Sequence, residues 1–216
     1  MTTVGFLHTS DVHVGTFREL LAKHAPQLGA IDVVDQTLLD DARARGVDDD
    51  VRQRLEARLR SLREDGAAVV LCTCSTLSGV AEQLTDSVGV PVIRVDRPMA
   101  ERAAGIGGRI AVVVAVPSTL GPTRDLLAEC IAKSARDSTL VETPCLDAWT
   151  LFEAGDTEGY LDLVATHARQ AAGHADVILL AQASMAGAAN RLTDLPIPVL
   201  TSPTTAVQHA AALAQS

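Results

Sequence analysis

The sequence predicts an α/β fold of two similar lobes, each a short parallel sheet flanked by helices, related by a pseudo-twofold axis with the active site between them. The first observation behind this is the stretch Ala67-Ala68-Val69-Val70-Leu71-Cys72-Thr73-Cys74-Ser75-Thr76-Leu77-Ser78-Gly79, where a short apolar run ends in thiols, hydroxyls and a glycine. Its apolarity is continuous rather than alternating, as in a strand covered on both faces. The second is a stretch of the same kind, Ala175-Asp176-Val177-Ile178-Leu179-Leu180-Ala181-Gln182-Ala183-Ser184-Met185-Ala186-Gly187. Cys74 aligns with Gln182, Ser75 with Ala183, Thr76 with Ser184 and Gly79 with Gly187, and both stretches run on into a Val-Pro-Val or Ile-Pro-Val strand. The third is that strands and helices alternate along the whole chain, the grammar of parallel sheets with helical crossovers.

In chain order, Val4 to Leu7 is the first strand and opens into His8-Thr9-Ser10-Asp11-Val12-His13. A helical pattern follows from Phe17 to Leu28, then a strand at Ile31 to Val34. Asp48, Asp49 and Asp50 start a helix whose Val51, Leu55, Leu59 and Leu62 form one stripe, with an arginine-rich opposite face that is solvated. After the Cys74 loop come a helix near Val80 to Leu84 and the strand Val90 to Val95. The glycines from Gly105 to Gly108 break the pattern, and Ile110 to Val114 is a wholly apolar strand opening into Pro117-Ser118-Thr119-Leu120-Gly121. A helix from Asp125 to Ala135, a strand from Thr139 to Thr143, a loop carrying Trp149, a helix from Asp156 to Ala172 and the strand Val177 to Leu180 complete the second copy. Beyond Val199-Leu200, the Thr201-Ser202-Pro203-Thr204-Thr205 segment caps an alanine-rich last helix. The expected lobes are 1–97 plus 201–216, carrying the first catalytic loop, and 98–200, carrying the second.

The chain has 216 residues, enough to bury a core without staples, and a formal net charge of −9, with no basic stripe to neutralise phosphates. Nucleic acid is thereby excluded as the main partner. Aromatics make up only 2%, so stacking platforms are scarce and a small polar ligand is favoured. Four cysteines at irregular spacing and no run able to span a bilayer point to reduced thiols in the cytoplasm and no membrane association. A homo-oligomer is compatible with the sequence.

Neither a phosphate-binding glycine loop nor a dinucleotide fingerprint is present, and the two lysines, Lys23 and Lys133, lie within helical patterns rather than at strand ends. His8, Asp11 and His13 have the spacing that opens metallophosphoesterases, but the later ligand motifs of that class are missing, so no metal is assigned. Cys72 and Cys74 are too close together for a zinc pair. Cys74 stands at a strand end ahead of a helix, where a thiol's pKa is expected to fall and make it a base or nucleophile; a buried structural cysteine is the competing reading. Ser75, Thr76, Ser118, Thr119 and Ser184, hydroxyls at strand ends, suit carboxylate binding. A Cys74–His8 hydrolytic pair is the rival chemistry.

Over nearly its whole length the chain resembles the aspartate/glutamate racemase superfamily, which includes hydantoin racemases, maleate isomerases and arylmalonate decarboxylases. Cys74-Ser75-Thr76 is similar to the family's Cys-Asn-Thr motif and Val116-Pro117-Ser118-Thr119 to its Thr-x-x-Thr loop. His8-Thr9 stands where glutamate racemases carry Asp-Ser, and Gln182-Ala183-Ser184 where they carry the second catalytic cysteine. The resemblance implies cofactor-independent chemistry at the carbon next to a carboxylate of a small acid or amino acid. Gln182 departs from the two-thiol pattern, since an amide is neither acid nor base near neutral pH. The expectation is therefore a racemase- or isomerase-like enzyme working through one thiol. Cys74, Gln182 and His8 form its catalytic set, and Thr9, Ser10, Ser75, Thr76, Ser118, Thr119 and Ser184 hold the substrate. An arylmalonate-type decarboxylase and a non-catalytic carboxylate-binding protein are the alternatives.

Overall fold

The computed structural model describes all residues, Met1–Ser216, which form two compact units, Met1–Arg97 with Pro203–Ser216 and Pro98–Ser202. Unit one runs β1 (Thr3–His8), α1 (Val12–His24), β2 (Gly29–Val34), α2 (Gln36–Arg45), α3 (Asp49–Glu64), β3 (Ala67–Cys72), α4 (Ser78–Gln83), α5 (Thr85–Val88) and β4 (Val92–Arg94). Unit two contains α6 (Arg97–Ile106), β5 (Gly108–Val114), α7 (Pro117–Lys133), β6 (Ser138–Pro144), α8 (Ala148–Glu153), α9 (Thr157–Ala172), β7 (Val177–Leu180), a 3₁₀ segment (Ala183–Arg191) and β8 (Val199–Thr201). The chain then returns to unit one as α10 (Pro203–Ala214).

Both sheets are wholly parallel and share one topology, β2-β1-β3-β4 and β6-β5-β7-β8. The duplication read in the sequence is thus a duplication of sheet order. The continuous apolar strands are buried on both faces, as their composition requires. In unit one, Leu7, Val70 and Cys72 face the side chains of α2, α3 and α4, among them Leu38, Leu55, Leu59 and Leu77, while α1 and α10 cover the other face. In unit two, alternate residues separate cleanly. Ala111, Val113, Ile178 and Leu180 meet Tyr160, Val164 and Met185, and Ile110, Val112, Val114, Val177 and Leu179 meet Met99, Ala103, Leu126 and Leu127.

Helix α3 shows how local chemistry sets an element. Asp48 caps it, its Oδ1 accepting the Val51 N–H at 2.9 Å, and Asp49 and Asp50 sit in the first turn against the positive helix end. Its stripe of Val51, Leu55, Leu59 and Leu62 is fully buried.

Several helical boundaries differ from the sequence expectation, among them α1, which runs Val12–His24 rather than Phe17 to Leu28, and α2, which was not expected. Helix α7 begins at Pro117, so the expected Pro117–Gly121 loop is its first turn: proline is preorganised for that position, and Gly121-Pro122 had imitated a break. Helix α6 fills the segment between the strand at Val90 to Val95 and the Gly105–Gly108 break, where no helix was expected, burying Met99, Ala100, Ala103 and Ala104 on one face. Trp149 lies on α8 rather than in a loop. The segment after β7 is a 3₁₀ turn series instead of an α-helix. No helix is long and apolar enough to cross a membrane.

Leu59→Ala is expected to cost about 2–5 kcal/mol of stability through the cavity it leaves in the α3–β3 core. Asp48→Ala, which removes only the cap, should cost about 1 kcal/mol. Urea denaturation of the two variants checks the ranking.

Candidate functional site

In each sheet the strand order reverses between the first and third strands of the unit, and ligands of open parallel sheets collect at the carboxyl ends of the strands at such a point. In unit one, Thr9 and Ser10 follow β1, and Thr73, Cys74, Ser75 and Thr76 follow β3. Registered pairing brings these two strand ends side by side, with Leu7 opposite Cys72 and the Thr73 N–H donating to the Leu7 carbonyl at 3.0 Å.

Cys74 is 8% exposed, and the Thr9 hydroxyl and the backbone of Leu77 and Thr76 lie close enough to its thiol to influence its titration. Desolvation is the largest influence on it and pushes the thiol pKa up; these three neighbours pull it back without cancelling the rise, and the Asp96 carboxylate adds to it. The expected fall in pKa is therefore corrected. The neighbours are where a strand end should put them, but burial outweighs them. Cys72 is fully buried with its thiol pKa also raised by burial, as suits a core residue.

His8 ends β1 and is fully buried. Its Nε2 lies 3.0 Å from Asp32 Oδ1 and its Nδ1 2.9 Å from Thr73 Oγ1, while its ring stacks on Phe6 and tilts against Phe17. Asp32 is held in turn by Arg18 Nε at 2.6 Å. Burial, the largest influence, lowers the imidazole pKa against the opposing pull of Asp32. Nε2 thus faces the carboxylate, and Nδ1 faces the Thr73 hydroxyl, which itself donates to the Leu7 carbonyl at 3.0 Å. No ring nitrogen is left for a substrate. The Cys74–His8 pair is corrected on this ground: the histidine fixes Thr73, the residue ahead of Cys74, instead of serving as a free base. The same bonds take His8 out of a metal set with Asp11 and His13, and no group of three or more His, Cys, Asp or Glu side chains is arranged to hold a metal ion.

Beneath the Cys74 loop lies a buried ion pair that sequence reasoning missed. Arg94, 6% exposed, makes a two-point contact with Asp96, 1% exposed, at 2.9 and 3.0 Å, and the Ser78 hydroxyl donates to the same carboxylate at 3.3 Å. A Cβ on Gly79 would come within 2.8 Å of the Arg94 guanidinium, so the glycine lets the start of α4 rest on the arginine. The signal was present in Ile93-Arg94-Val95-Asp96, two opposite charges on one face of an apolar strand end.

In unit two the corresponding strand ends are those of β5 and β7. Gln182, 8% exposed, crosses from β7 to β5, its Oε1 accepting the Ala115 N–H at 2.6 Å and the Val116 N–H at 3.1 Å. Thr119 is buried and Ser118 half-buried in the first turn of α7. Ser184 shares a 2.8 Å hydrogen bond with the hydroxyl of Tyr160, a fully buried residue of α9 that sequence reasoning also passed over. Of the predicted residues, Thr9, Cys74, Ser75 and Thr76 thus gather in unit one with half-buried Ser10 beside them. Gln182 and the start of α7 gather in unit two, and Ser184 is tied to the α9 side. Cys130 is buried among the α6 and α7 side chains, while Cys145 lies next to the unit-two cluster, its thiol donating to the Val114 carbonyl at 3.4 Å and pushed up to about 12 by burial.

The family model for Asp/Glu/hydantoin racemases matches residues 7–210. No curated protein matches the sequence. Among solved structures, glutamate racemase from Bacillus anthracis superposes with a TM-score of 0.77 at 16% identity, covering 99% of this chain and 82% of that one. Glutamate racemase from Francisella tularensis in complex with D-glutamate gives 0.74 at 16% identity, covering 98% and 80%. A liganded double mutant of arylmalonate decarboxylase gives 0.64 at 19% identity, covering 99% and 93%. At these identities the likenesses establish a common fold.

Arg94→Ala leaves Asp96 as an unpaired buried charge, and the expected loss is about 3–5 kcal/mol in urea denaturation. His8 has a distinct signature. Its folded pKa lies below the ordinary imidazole value of about 6.5, so the unfolded chain takes up the proton first as pH falls. The stability it contributes is complete above about pH 6.5 and is lost as pH drops toward the lower folded value. His8→Gln should flatten that slope of stability against pH.

Proposed function

Since the chain belongs to the Asp/Glu/hydantoin racemase family, we propose that it is a cofactor-independent isomerase that acts at the carbon next to a carboxylate of a small acid or amino acid through one thiol, that of Cys74. The observation that carries this is the asymmetry of the two strand-end clusters. Unit one offers a buried thiol beside the Thr9 hydroxyl, and unit two, at the aligned position, an amide that cannot exchange protons near neutral pH.

In this reading the Cys74 thiolate takes the α proton: the C–H bond breaks, an S–H bond forms, and the electron pair passes into the carboxylate as an enolate-like intermediate. Return of the proton by the same sulfur gives exchange with retention, and inversion follows only when the intermediate takes a proton from water on its opposite face. Thr9, Ser10, Ser75, Thr76, Ser118, Thr119 and Ser184 are the candidate groups for holding substrate oxygens, and stabilising the intermediate's charge carries much of the rate enhancement. His8 contributes by holding Thr73. The reading requires no metal and no cofactor, and reduced thiols suit action in the cytoplasm.

The raised pKa of Cys74 favours a second reading, decarboxylation of the arylmalonate type. There the C–C bond to the leaving carboxylate breaks, carbon dioxide departs, and the electron pair left on the α carbon takes the proton already stored on the Cys74 sulfur. A protein that binds carboxylates without turnover is the third outcome.

Incubation of candidate amino acids and malonates in deuterated water distinguishes the three. One base on one face should exchange the α proton with retention about tenfold or more faster than it inverts the centre. Equal rates of exchange and inversion sink the one-thiol isomerase. Evolution of carbon dioxide with one deuterium incorporated selects the decarboxylase, and neither reaction selects the binding protein. Cys74→Ala should lower either turnover by roughly 10²–10⁴-fold, while alanine at Cys72, Cys130 or Cys145 changes stability more than rate.

A further inference from the structure

The end of β5 leaves two consecutive buried N–H groups, on Ala115 and Val116, each residue 1% exposed. Both donate to one side-chain atom of Gln182, at 2.6 and 3.1 Å. That atom must be the carbonyl oxygen. A nitrogen there would set donors against donors twice and leave two buried N–H groups unsatisfied, each costing about 1–3 kcal/mol. The terminal amide is therefore held in one orientation, by two bonds from rigid backbone, on a side chain that would otherwise rotate freely.

Fixing the oxygen also fixes the nitrogen. Nε2, with two hydrogens, turns away from β5 and makes no hydrogen bond within the unit, although Gln182 is more than nine-tenths buried. Two N–H groups on its carbonyl polarise the amide and strengthen its remaining donors. Val116, which bonds to the oxygen, is also the N-cap of α7, a 17-residue helix whose positive end adds a field favouring negative charge. A polarised donor beside a helix N-terminus favours an anionic oxygen over a neutral one.

We propose that Gln182 is a locked hydrogen-bond donor that selects an acceptor oxygen of the ligand, a carboxylate in the ground state or the enolate-like oxygen derived from it. Its role is recognition of charge; protons do not pass through it. The inference rests on the reading that the strand-end loops bind a small carboxylate, and it names the group in unit two that does so. A merely structural glutamine would satisfy the two N–H groups and be indifferent to the ligand.

The test uses malonate as the anionic probe and malonamide as its neutral counterpart, by calorimetric titration and by NMR of the Gln182 side-chain amide in the native protein. Malonate should bind, moving the Gln182 Nε2 protons downfield. In Gln182→Glu the carboxylate keeps an oxygen on the Ala115 and Val116 N–H groups, so the fold is retained, but the two donors are gone and a like charge faces the ligand. Malonate affinity should then fall tenfold or more while malonamide is little affected. Unchanged malonate affinity in a folded Gln182→Glu protein overturns the proposal. If that variant does not fold, the native measurement decides alone: malonate binding that leaves the Gln182 amide protons unmoved, or no malonate binding at all, overturns it equally. The thiol chemistry is scored separately in Cys74→Ala. Malonate binding with the amide shift intact in that variant, but no proton exchange in the native enzyme, refutes the thiol reading and leaves Gln182 as a carboxylate donor.

Discussion

The arrangement of everything that bears on function depends on one constraint, the strand order of the two parallel sheets. When the first strand of a unit sits between the second and the third, its two crossovers leave on opposite faces of the sheet. The loops after the first and third strands are then neighbours, with no crossover covering the space between their starting points. In unit one this places Thr9 against Cys74; in unit two it places Ala115 and Val116 against Gln182. The same topological position is cross-linked twice by different chemistry. A hydroxyl meets a sulfur in one unit, and two backbone amides meet a carbonyl in the other.

The environment of Cys74 is a contest between burial and hydrogen bonding, and burial prevails. A thiolate in this place is a higher-energy species than in water, and one that forms is a stronger base for the same reason. The neighbouring groups restrict geometry more than they shift charge. His8 grips Thr73 ahead of the cysteine, and the Arg94–Asp96 pair with Ser78 and Gly79 supports the helix behind it. Cys74 is bracketed on both sides by polar contacts that are themselves buried, which is how a loop gains the rigidity of the sheet it leaves.

All eight strands were legible in the sequence because continuous apolar runs bounded by polar loops have few other readings, and Cys74 was legible because it falls where such a run ends. The misread boundaries share a cause. Pro117 was placed in a loop but occupies the first turn of α7, and Pro98 likewise stands in the first turn of α6, where a missing N–H costs nothing. The role of His8 was not legible, because what decides it lies on β2 and β3: Asp32 and Thr73 are distant in sequence and reach it only through strand register. The same holds for Gln182. Its residue type announced that it could not titrate, but the orientation of its amide follows from two N–H groups on another strand.

The Gln182 bridge also bears on how this chain can change. A cysteine at that position would give unit two a thiol, yet sulfur is a weak acceptor on a shorter side chain and cannot replace an amide oxygen held by two backbone donors. That variant would leave Ala115 and Val116 both unsatisfied, at about 1–3 kcal/mol each, out of a total stability that for a domain is only about 5–15 kcal/mol. A thiol at this position therefore comes with a poorly stable protein unless the β5 end is rebuilt at the same time. The glutamine is a keystone in this sense: it can be exchanged only together with the backbone it holds.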